Sequence, residues 1–217
     1  MRHIRLSYSD SLSASFPKTH LFRLFVAPLI GTLGLSAKLD QLECENDVAR
    51  LIEPTPLTYA GFKPFGNVIE AGTVKTRPIN EGNTIRYHDL AELDLSAEGG
   101  KPGLNIFRSN PLPQPMILKT MERHPLSSQA FYPLGSYPYL VVVAPPGELD
   151  PSAIVAFLAR SNQGVNYHKG VWHHYSLALG GISDFLVVDR ISDDENCDEV
   201  GLIDEDRIEI EMSNMRL

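Results

Sequence analysis

Short apolar runs separated by turn-forming residues make up most of the chain after its first 45 residues. Runs of this kind, in which apolar residues alternate with polar ones or follow one another without a break, are typical of β-strands. The pattern predicts strands at residues 68–70, 84–90, 104–108, 116–124, 139–144, 171–173, 177–179, 184–191 and 207–212. Many short strands with few helices predict a mainly β protein, built as a barrel or a sandwich.

Two helical segments are predicted among these strands. Residues 57–62 are predicted to form one helical turn, which the turn-forming residues 63–66 close. Residues 151–162 are predicted to form a longer helix. Its start is marked by Asp150 as N-cap and Pro151 in the first position, and Gly164 lies just beyond its end. Its apolar stripe, which we expect to pack against the outside of a sheet, consists of Ile154, Phe157 and Leu158.

The composition narrows the range of partners. Nineteen basic and 27 acidic residues give a formal net charge of −8. This charge argues against nucleic acid or an anionic membrane as the partner, but a small anionic substrate responds to the local field of a pocket and is not excluded. The only two cysteines, Cys44 and Cys197, match no metal-ligand spacing, and we expect them to be free thiols of a reducing compartment.

The first 45 residues differ in composition from the rest of the chain. Between residues 1 and 38 the only acidic residue is Asp10, and the apolar run at residues 24–35 is too short to span a bilayer. Three interpretations stay open: an organelle-targeting segment, a secretory signal, or a tail added by an upstream start codon. We assign residues 1–45 to an N-terminal extension and residues 46–217 to one domain. The expected location is the cytoplasm, with an organelle as the alternative.

Residues 163–174, QGVNYHKGVWHH, are the most distinctive stretch of the chain. They include three of its seven histidines, His168, His173 and His174, and its only tryptophan, Trp172. Histidine changes charge near neutral pH and is a common metal ligand, so function is first sought here. Because successive side chains of a strand face opposite sides, we expect Trp172 to point away from His173.

The predicted strand at residues 116–124 places chemically active side chains on one face. Positions two residues apart share a face, and this face would carry Met116, Leu118, Glu122 and His124. If the two apolar residues face the interior, the carboxylate and the imidazole must be paired, hydrogen-bonded or bound to a metal. The alternative is an edge strand whose end is solvated.

The spacing of these residues resembles the motifs of the cupin family. The chain reads Glu122-x-His124-x4-Gln129-x5-Gly135, where the first cupin motif has two histidines, a glutamate and a glycine. The four residues GVWH, which end at His173, resemble the core of the second motif. Two of the four usual ligands are therefore replaced. A cupin-like double-stranded β-helix, or jelly-roll barrel, would bring together a ligand set for a divalent transition metal, namely Glu122, His124, Gln129 and His173.

Longer strings resemble the ureidoglycolate lyase family of allantoin degradation. They are FGNVIE, RYHDLAELD, MERHPLSSQAFYPL, YLVVVAPP, QGVNYHKGVWHH, FLVVDR and NCDE, and the resemblance runs from about residue 51 to the C-terminus. One departure is Tyr175, where family members usually carry a proline. The resemblance implies a cupin-like fold, cleavage of (S)-ureidoglycolate to glyoxylate and urea, and often a homodimer. Nickel dependence is associated with the family, and manganese is a second candidate metal. The two replaced ligands leave the alternative of a metal-free pocket open, in which the same residues hydrogen-bond the substrate directly.

This reaction requires a base for the substrate hydroxyl, an acid for the leaving nitrogen and positive charge for the carboxylate. The expected proton-transfer groups are Glu122, His124 and His173. Lys169 and Arg86 are the candidates for holding the carboxylate.

Gln129, Asn166 and Tyr167 complete the set of candidate substrate contacts. Two other functions stay open from the sequence. One is a hydrolase that releases ammonia and carbon dioxide from the same substrate, and the other is a non-catalytic module that binds a small acid.

Overall fold

The computed structural model describes residues 49–72, 75–203 and 207–213, and the protein is mainly β over these ranges. The elements in chain order are β1 Arg50–Ile52, β2 Thr55–Pro56, α1 Tyr59–Phe62, β3 Gly66–Ile69, β4 Thr76–Ile79, β5 Thr84–Tyr87, β6 Lys101–Ser109, β7 Met116–Leu118, β8 Thr120–Arg123, β9 Gln129–Pro133, β10 Tyr139–Ala144, β11 Val155–Ala159, β12 Gly164–Tyr167, β13 Trp172–His173, β14 Leu177–Ala178, β15 Ser183–Ile191, β16 Asp198–Gly201 and β17 Ile208–Ile210. Short 3₁₀ turns lie at Asn80–Gly82, Ala97–Gly99 and Pro151–Ala153. The predicted N-terminal extension, with its targeting alternatives and Cys44, lies outside the described residues.

Two large sheets dominate the architecture. One has the strand order β16-β8-β13-β10-β11-β2, with β14 also paired to β10, and the other has the order β3-β12-β9-β15-β6. A three-stranded sheet, β1-β17-β7, and the hairpin β4-β5 complete the described strands. This arrangement confirms the prediction of a mainly β fold and is consistent with the predicted jelly-roll barrel.

The centre of the seven-stranded sheet, at β10, is buried on both faces. One apolar cluster joins β10 and β11 to the five-stranded sheet and includes Val141, Val143, Phe157 and Phe185. A second cluster joins the other face of β10 to the three-stranded sheet and includes Leu140, Val142, Met116 and Ile208. All six residues of β10 are buried, as its continuous apolar run YLVVVA predicts for a central strand.

The predicted helix at residues 151–162 is wrong. Its start is present, because Asp150 accepts a hydrogen bond from the Ser152 backbone N–H at 2.8 Å, but the helical backbone stops after Pro151–Ala153. Residues Val155–Ala159 instead form β11, which pairs with β10 and β2. The capping residues therefore correctly marked the start of a helical turn, but that turn is short. The apolar residues that follow it form a strand, because their backbone groups hydrogen-bond to the neighbouring strands.

The single helical turn predicted at residues 57–62 is confirmed as α1, where Thr58 Oγ1 accepts from the Gly61 backbone N–H at 3.1 Å. Within the described ranges, no helix has the length and apolar character needed to cross a membrane. The cytoplasmic location stays a prediction.

Candidate functional site

Three side chains that can bind a metal converge in the cleft between the two large sheets. Glu122 lies on β8, His124 follows that strand, and His173 lies on β13, where it is the register partner of Glu122. Each of the three residues offers one ligand atom, and these three atoms lie within 4.8 Å of one another. The ring centroids of His124 and His173 are 5.2 Å apart. The sequence spacing thus predicted residues that the fold brings together.

The face argument behind this prediction was nevertheless wrong. The predicted single strand is two strands, β7 and β8, which lie in different sheets. Met116, Leu118 and Met121 are all buried in one cluster, so the alternation changes phase between the two strands. Glu122 reaches the cleft because it faces away from Met121, and its side chain does not share a face with Leu118.

Trp172 points away from the cleft, as its alternation with His173 predicts. Its ring packs into the apolar cluster of Met121, and its Nε1 donates to the Gly147 carbonyl at 3.0 Å. The Arg123 guanidinium lies 4.5 Å from the centroid of its ring. Trp172 therefore fixes β13 from behind while His173 faces the cleft.

Both histidines present a free ring nitrogen. His124 Nδ1 lies 2.6 Å from the Asn196 carbonyl, and His173 Nδ1 lies 3.4 Å from the His174 carbonyl. A carbonyl oxygen only accepts, so each Nδ1 donates and each Nε2 carries the lone pair. Both Nε2 atoms are buried and have no hydrogen-bond partner in the described residues, and the same is true of Gln129 Oε1. Buried acceptors without partners are what a metal-binding site presents before the ion is bound.

Burial keeps His173 neutral near pH 7. It lowers the pKa of His173 to about 3, with a further contribution from the neighbouring His124 charge. Burial also raises the pKa of the Glu122 carboxyl, and Glu199, opposite it on β16, adds to this rise. Near neutral pH the site thus offers a neutral imidazole beside a carboxyl group that holds its proton more tightly than usual, a suitable setting for proton transfer.

Tyr167 and Gln129 border this cluster. They are register partners on β12 and β9, and the Tyr167 ring stacks on His173 with the centroids 4.3 Å apart and the planes 5° apart. The stack restricts the rotation of the His173 ring. Gln129 lines a pocket of about 200 Å³ together with His124.

Sequence reasoning predicted only His124 and Gln129 among the residues of this pocket, and three of those it missed are Asp189, Asn196 and Cys197. Asn196 holds the turn after β8, because its carbonyl accepts from His124 and its Oδ1 accepts from the Leu126 backbone N–H at 2.7 Å. Cys197 is exposed, with its Sγ 4.0 Å from Glu122 Oε2. The strings FLVVDR and NCDE contain these residues, but their spacing from the histidine motifs carries no geometric signal.

Three predicted substrate contacts lie elsewhere. Asn166 faces the opposite side of β12 from Tyr167, and its Nδ2 donates to Asn67 Oδ1 at 3.1 Å and to the Glu92 carbonyl at 3.0 Å. Lys169 Nζ lies 3.1 Å from Asp94 Oδ2 in a separate polar pocket.

Arg86, on β5, lines a third pocket on the outer face of the five-stranded sheet, beside Leu186 and Val188. Within one described chain, Asn166, Lys169 and Arg86 line neither the metal-ligand cluster nor its pocket. Their predicted roles therefore have no geometric support.

A mainly β protein whose cleft holds two histidines and a carboxylate within reach of one another belongs to the class of β-proteins with a group of potential metal ligands between their sheets. The chain belongs to the ureidoglycolate lyase family, whose model matches residues 49–211. The resemblance noted in the sequence is thereby confirmed.

Curated relatives agree with this membership. A ureidoglycolate lyase of Burkholderia mallei (strain NCTC 10229) is 56% identical over 147 residues, covering 68% of this chain and 86% of the relative. The ureidoglycolate lyase of Burkholderia cepacia is 52% identical over 147 residues, covering 67% and 83%. That of Pseudomonas syringae pv. tomato is 48% identical over 151 residues, covering 69% and 89%.

Proposed function

We propose that this protein is a ureidoglycolate lyase, which eliminates urea from (S)-ureidoglycolate and leaves glyoxylate in the catabolism of allantoin and purine nitrogen. The observation that carries the proposal is the convergence of Glu122, His124 and His173 in the cleft of a chain of this family. The reaction breaks the O–H bond of the substrate hydroxyl, forms a C=O bond, breaks the C–N bond and adds a proton to the departing nitrogen. No covalent nucleophile is needed.

The residues of the cleft suit these proton movements. Glu122 has a raised pKa, so its carboxylate can take the proton of the hydroxyl, and the His173 Nδ1 atom lies 3.5 Å from it. Tyr167 holds the imidazole of His173 in one orientation by stacking on it. His124 is fixed by the Asn196 carbonyl and directs its Nε2 into the same space.

A divalent transition metal, nickel or manganese, is part of the proposal. The donor set fits such an ion, because two imidazole Nε2 atoms and a carboxylate are available and unpartnered Gln129 Oε1 offers a weaker fourth ligand. When bound, the ion would polarise the hydroxyl and carboxylate of the substrate and supply the positive charge that Lys169 and Arg86 do not bring to this cleft.

The proposal is tested by following glyoxylate, urea and ammonia together when purified protein acts on (S)-ureidoglycolate. We expect equimolar glyoxylate and urea, loss of turnover after chelation, and recovery with nickel or manganese. The same products without an effect of the chelator would contradict the proposed metal dependence but would support the lyase function. Ammonia in place of urea would indicate a hydrolase, and an absence of turnover would leave only a small-acid-binding module.

We also propose a homodimer in which a second copy covers strand β6. This nine-residue strand is the edge of the five-stranded sheet and leaves Leu104 and Ile106 exposed by 70% and 55%. A long edge strand with apolar side chains is a pairing surface, and two identical strands can pair antiparallel about a two-fold axis. Light scattering should give twice the mass of one chain, and Ile106→Glu should shift it toward the monomer.

A further inference from the structure

Asp189 is a second carboxylate of the cleft, separate from the metal-ligand cluster. It lies on β15 after Phe185 and Val187, both of which are buried in the core between the large sheets. Alternation therefore puts Asp189 on the same inner face. Its side chain lines the pocket of about 200 Å³ that also contains His124 and Gln129.

The charge of Asp189 has no ion-pair partner among the described residues. Asn105 Nδ2 donates to Asp189 Oδ1 at 2.9 Å, an interaction between a carboxylate and a neutral amide. The adjacent cation, Arg190, is bound to Asp194, whose two carboxylate oxygens lie 2.9 and 3.1 Å from its Nη atoms. Burial raises the pKa of the Asp189 carboxyl. A partly buried carboxylate of this kind is stabilised by a ligand that donates hydrogen bonds to it.

The ureido half of the substrate carries such donors. It has N–H groups on both nitrogens and is planar, so a carboxylate can accept two parallel hydrogen bonds from it, as it does from a guanidinium group. The other half of the substrate has only a hydroxyl and a carboxylate, which suit the cluster of Glu122, His124 and His173. The two halves of the substrate therefore match two groups of side chains that both include His124: the metal-ligand cluster and the pocket lined by Asp189.

We propose that Asp189 binds the ureido group of the substrate through its N–H groups and thereby determines that the leaving group is a urea. Asn105 holds one carboxylate oxygen in place for this contact. The inference rests on the lyase function proposed above. Asp189, the fifth residue of the string FLVVDR, would then be a specificity-determining residue.

The test compares Asp189→Asn with Asp184→Asn. Asp184 lies on the same strand, where it forms an exposed ion pair with Arg108 at 2.7 Å, and its replacement is the matched control. We expect Asp189→Asn to raise KM for (S)-ureidoglycolate by about 10- to 100-fold, the size of one or two hydrogen bonds to a charged group. Product inhibition by urea should weaken in parallel, whereas inhibition by glyoxylate should stay within about twofold of wild type.

Each outcome decides the matter. If KM and inhibition by urea are unchanged in Asp189→Asn, the role of Asp189 is overturned. The proposed lyase function would still stand in that case, because it rests on turnover by the wild-type protein. An equal loss of glyoxylate inhibition would overturn the role of Asp189 too, because the whole cleft would then have changed. If wild type itself has no turnover, the proposed function falls and this inference with it. Should Asp189→Asn fail to fold, Asp189→Glu, which keeps the charge and displaces it, must raise KM with glyoxylate inhibition intact.

Discussion

Two polar regions lie on opposite sides of strand β12, and they differ in how their polar atoms are satisfied. On the inner side, Tyr167 stacks on His173, and buried ring nitrogens of the cleft lack partners. On the outer side, Asn166 Nδ2 donates to two neighbours and Lys169 is paired with Asp94, while Asn166 Oδ1 is the one atom of these side chains without a partner among the described residues. The inner region leaves several buried acceptors without a partner, whereas most of these polar groups of the outer region already bind one another. Closeness in sequence therefore did not mean membership of one site, because adjacent residues of a strand face opposite sides.

The largest expected effect is on the inner region. His124→Ala and His173→Ala should each lower kcat/KM for (S)-ureidoglycolate by about 10³-fold, because each removes a proton-transfer group or metal ligand. Steady-state kinetics and metal content of the purified variants measure this loss. Their circular dichroism spectra should match wild type.

His168→Ala is the matched control for these two variants. His168 is exposed and lines the outer polar pocket, so its replacement should leave kcat/KM within about threefold of wild type. Near-normal turnover in either cleft variant would remove that histidine from the mechanism. A loss in His168→Ala as large as in the cleft variants would contradict the separation of the two regions.

The sequence predicted the centre of the site better than its surroundings. The spacing of Glu122, His124, Gln129 and His173 singled them out in the sequence, and the fold brings Glu122, His124 and His173 together. Asp189 ends an ordinary apolar strand, and only the pairing of β15 with β9 brings it into the pocket of His124.

The strands show the same contrast: those with a clear local sequence pattern were predicted, and those that depend on tertiary contacts were not. The central strand β10 was predicted because a continuous apolar run suits burial on both faces. Strands β9 and β12 were missed, since polar Gln129 and Asn166 interrupt their apolar patterns. Both polar side chains are buried, Gln129 in the pocket of His124 and Asn166 against Asn67, so these strands lack the usual alternation of buried apolar and exposed polar residues.

A smaller effect is expected when pH is lowered. The pKa values of His173 and His174 fall to about 3 and about 4, mainly because of burial, against an ordinary value of 6.5. Below pH 6.5 the unfolded chain binds protons that the folded chain excludes, so this contribution destabilises the fold as pH falls and vanishes above 6.5. Between about pH 7.5 and 5.5, the free energy of unfolding of metal-free protein should fall by about 1 kcal/mol for each imidazole.

Urea denaturation at the two pH values measures this change. His174→Gln removes one of the two buried imidazoles and should reduce the pH dependence by about half, while carboxyl groups titrate mainly below this range. A pH dependence that is identical in wild type and His174→Gln would show that His174 takes up its proton in the folded state as readily as in the unfolded chain.

The smallest effect is expected in the outer region. Sequence reasoning predicts that Lys169→Met or Arg86→Met weakens substrate binding strongly, because each was a candidate for holding the carboxylate. The geometry predicts a change in KM of less than about threefold, since Lys169 pairs with Asp94 in another pocket and Arg86 lies on the β4-β5 hairpin. Steady-state kinetics of both variants decide between the two predictions. A tenfold or larger rise in KM would contradict the separation of the two regions, because the replaced cation would then act on the substrate.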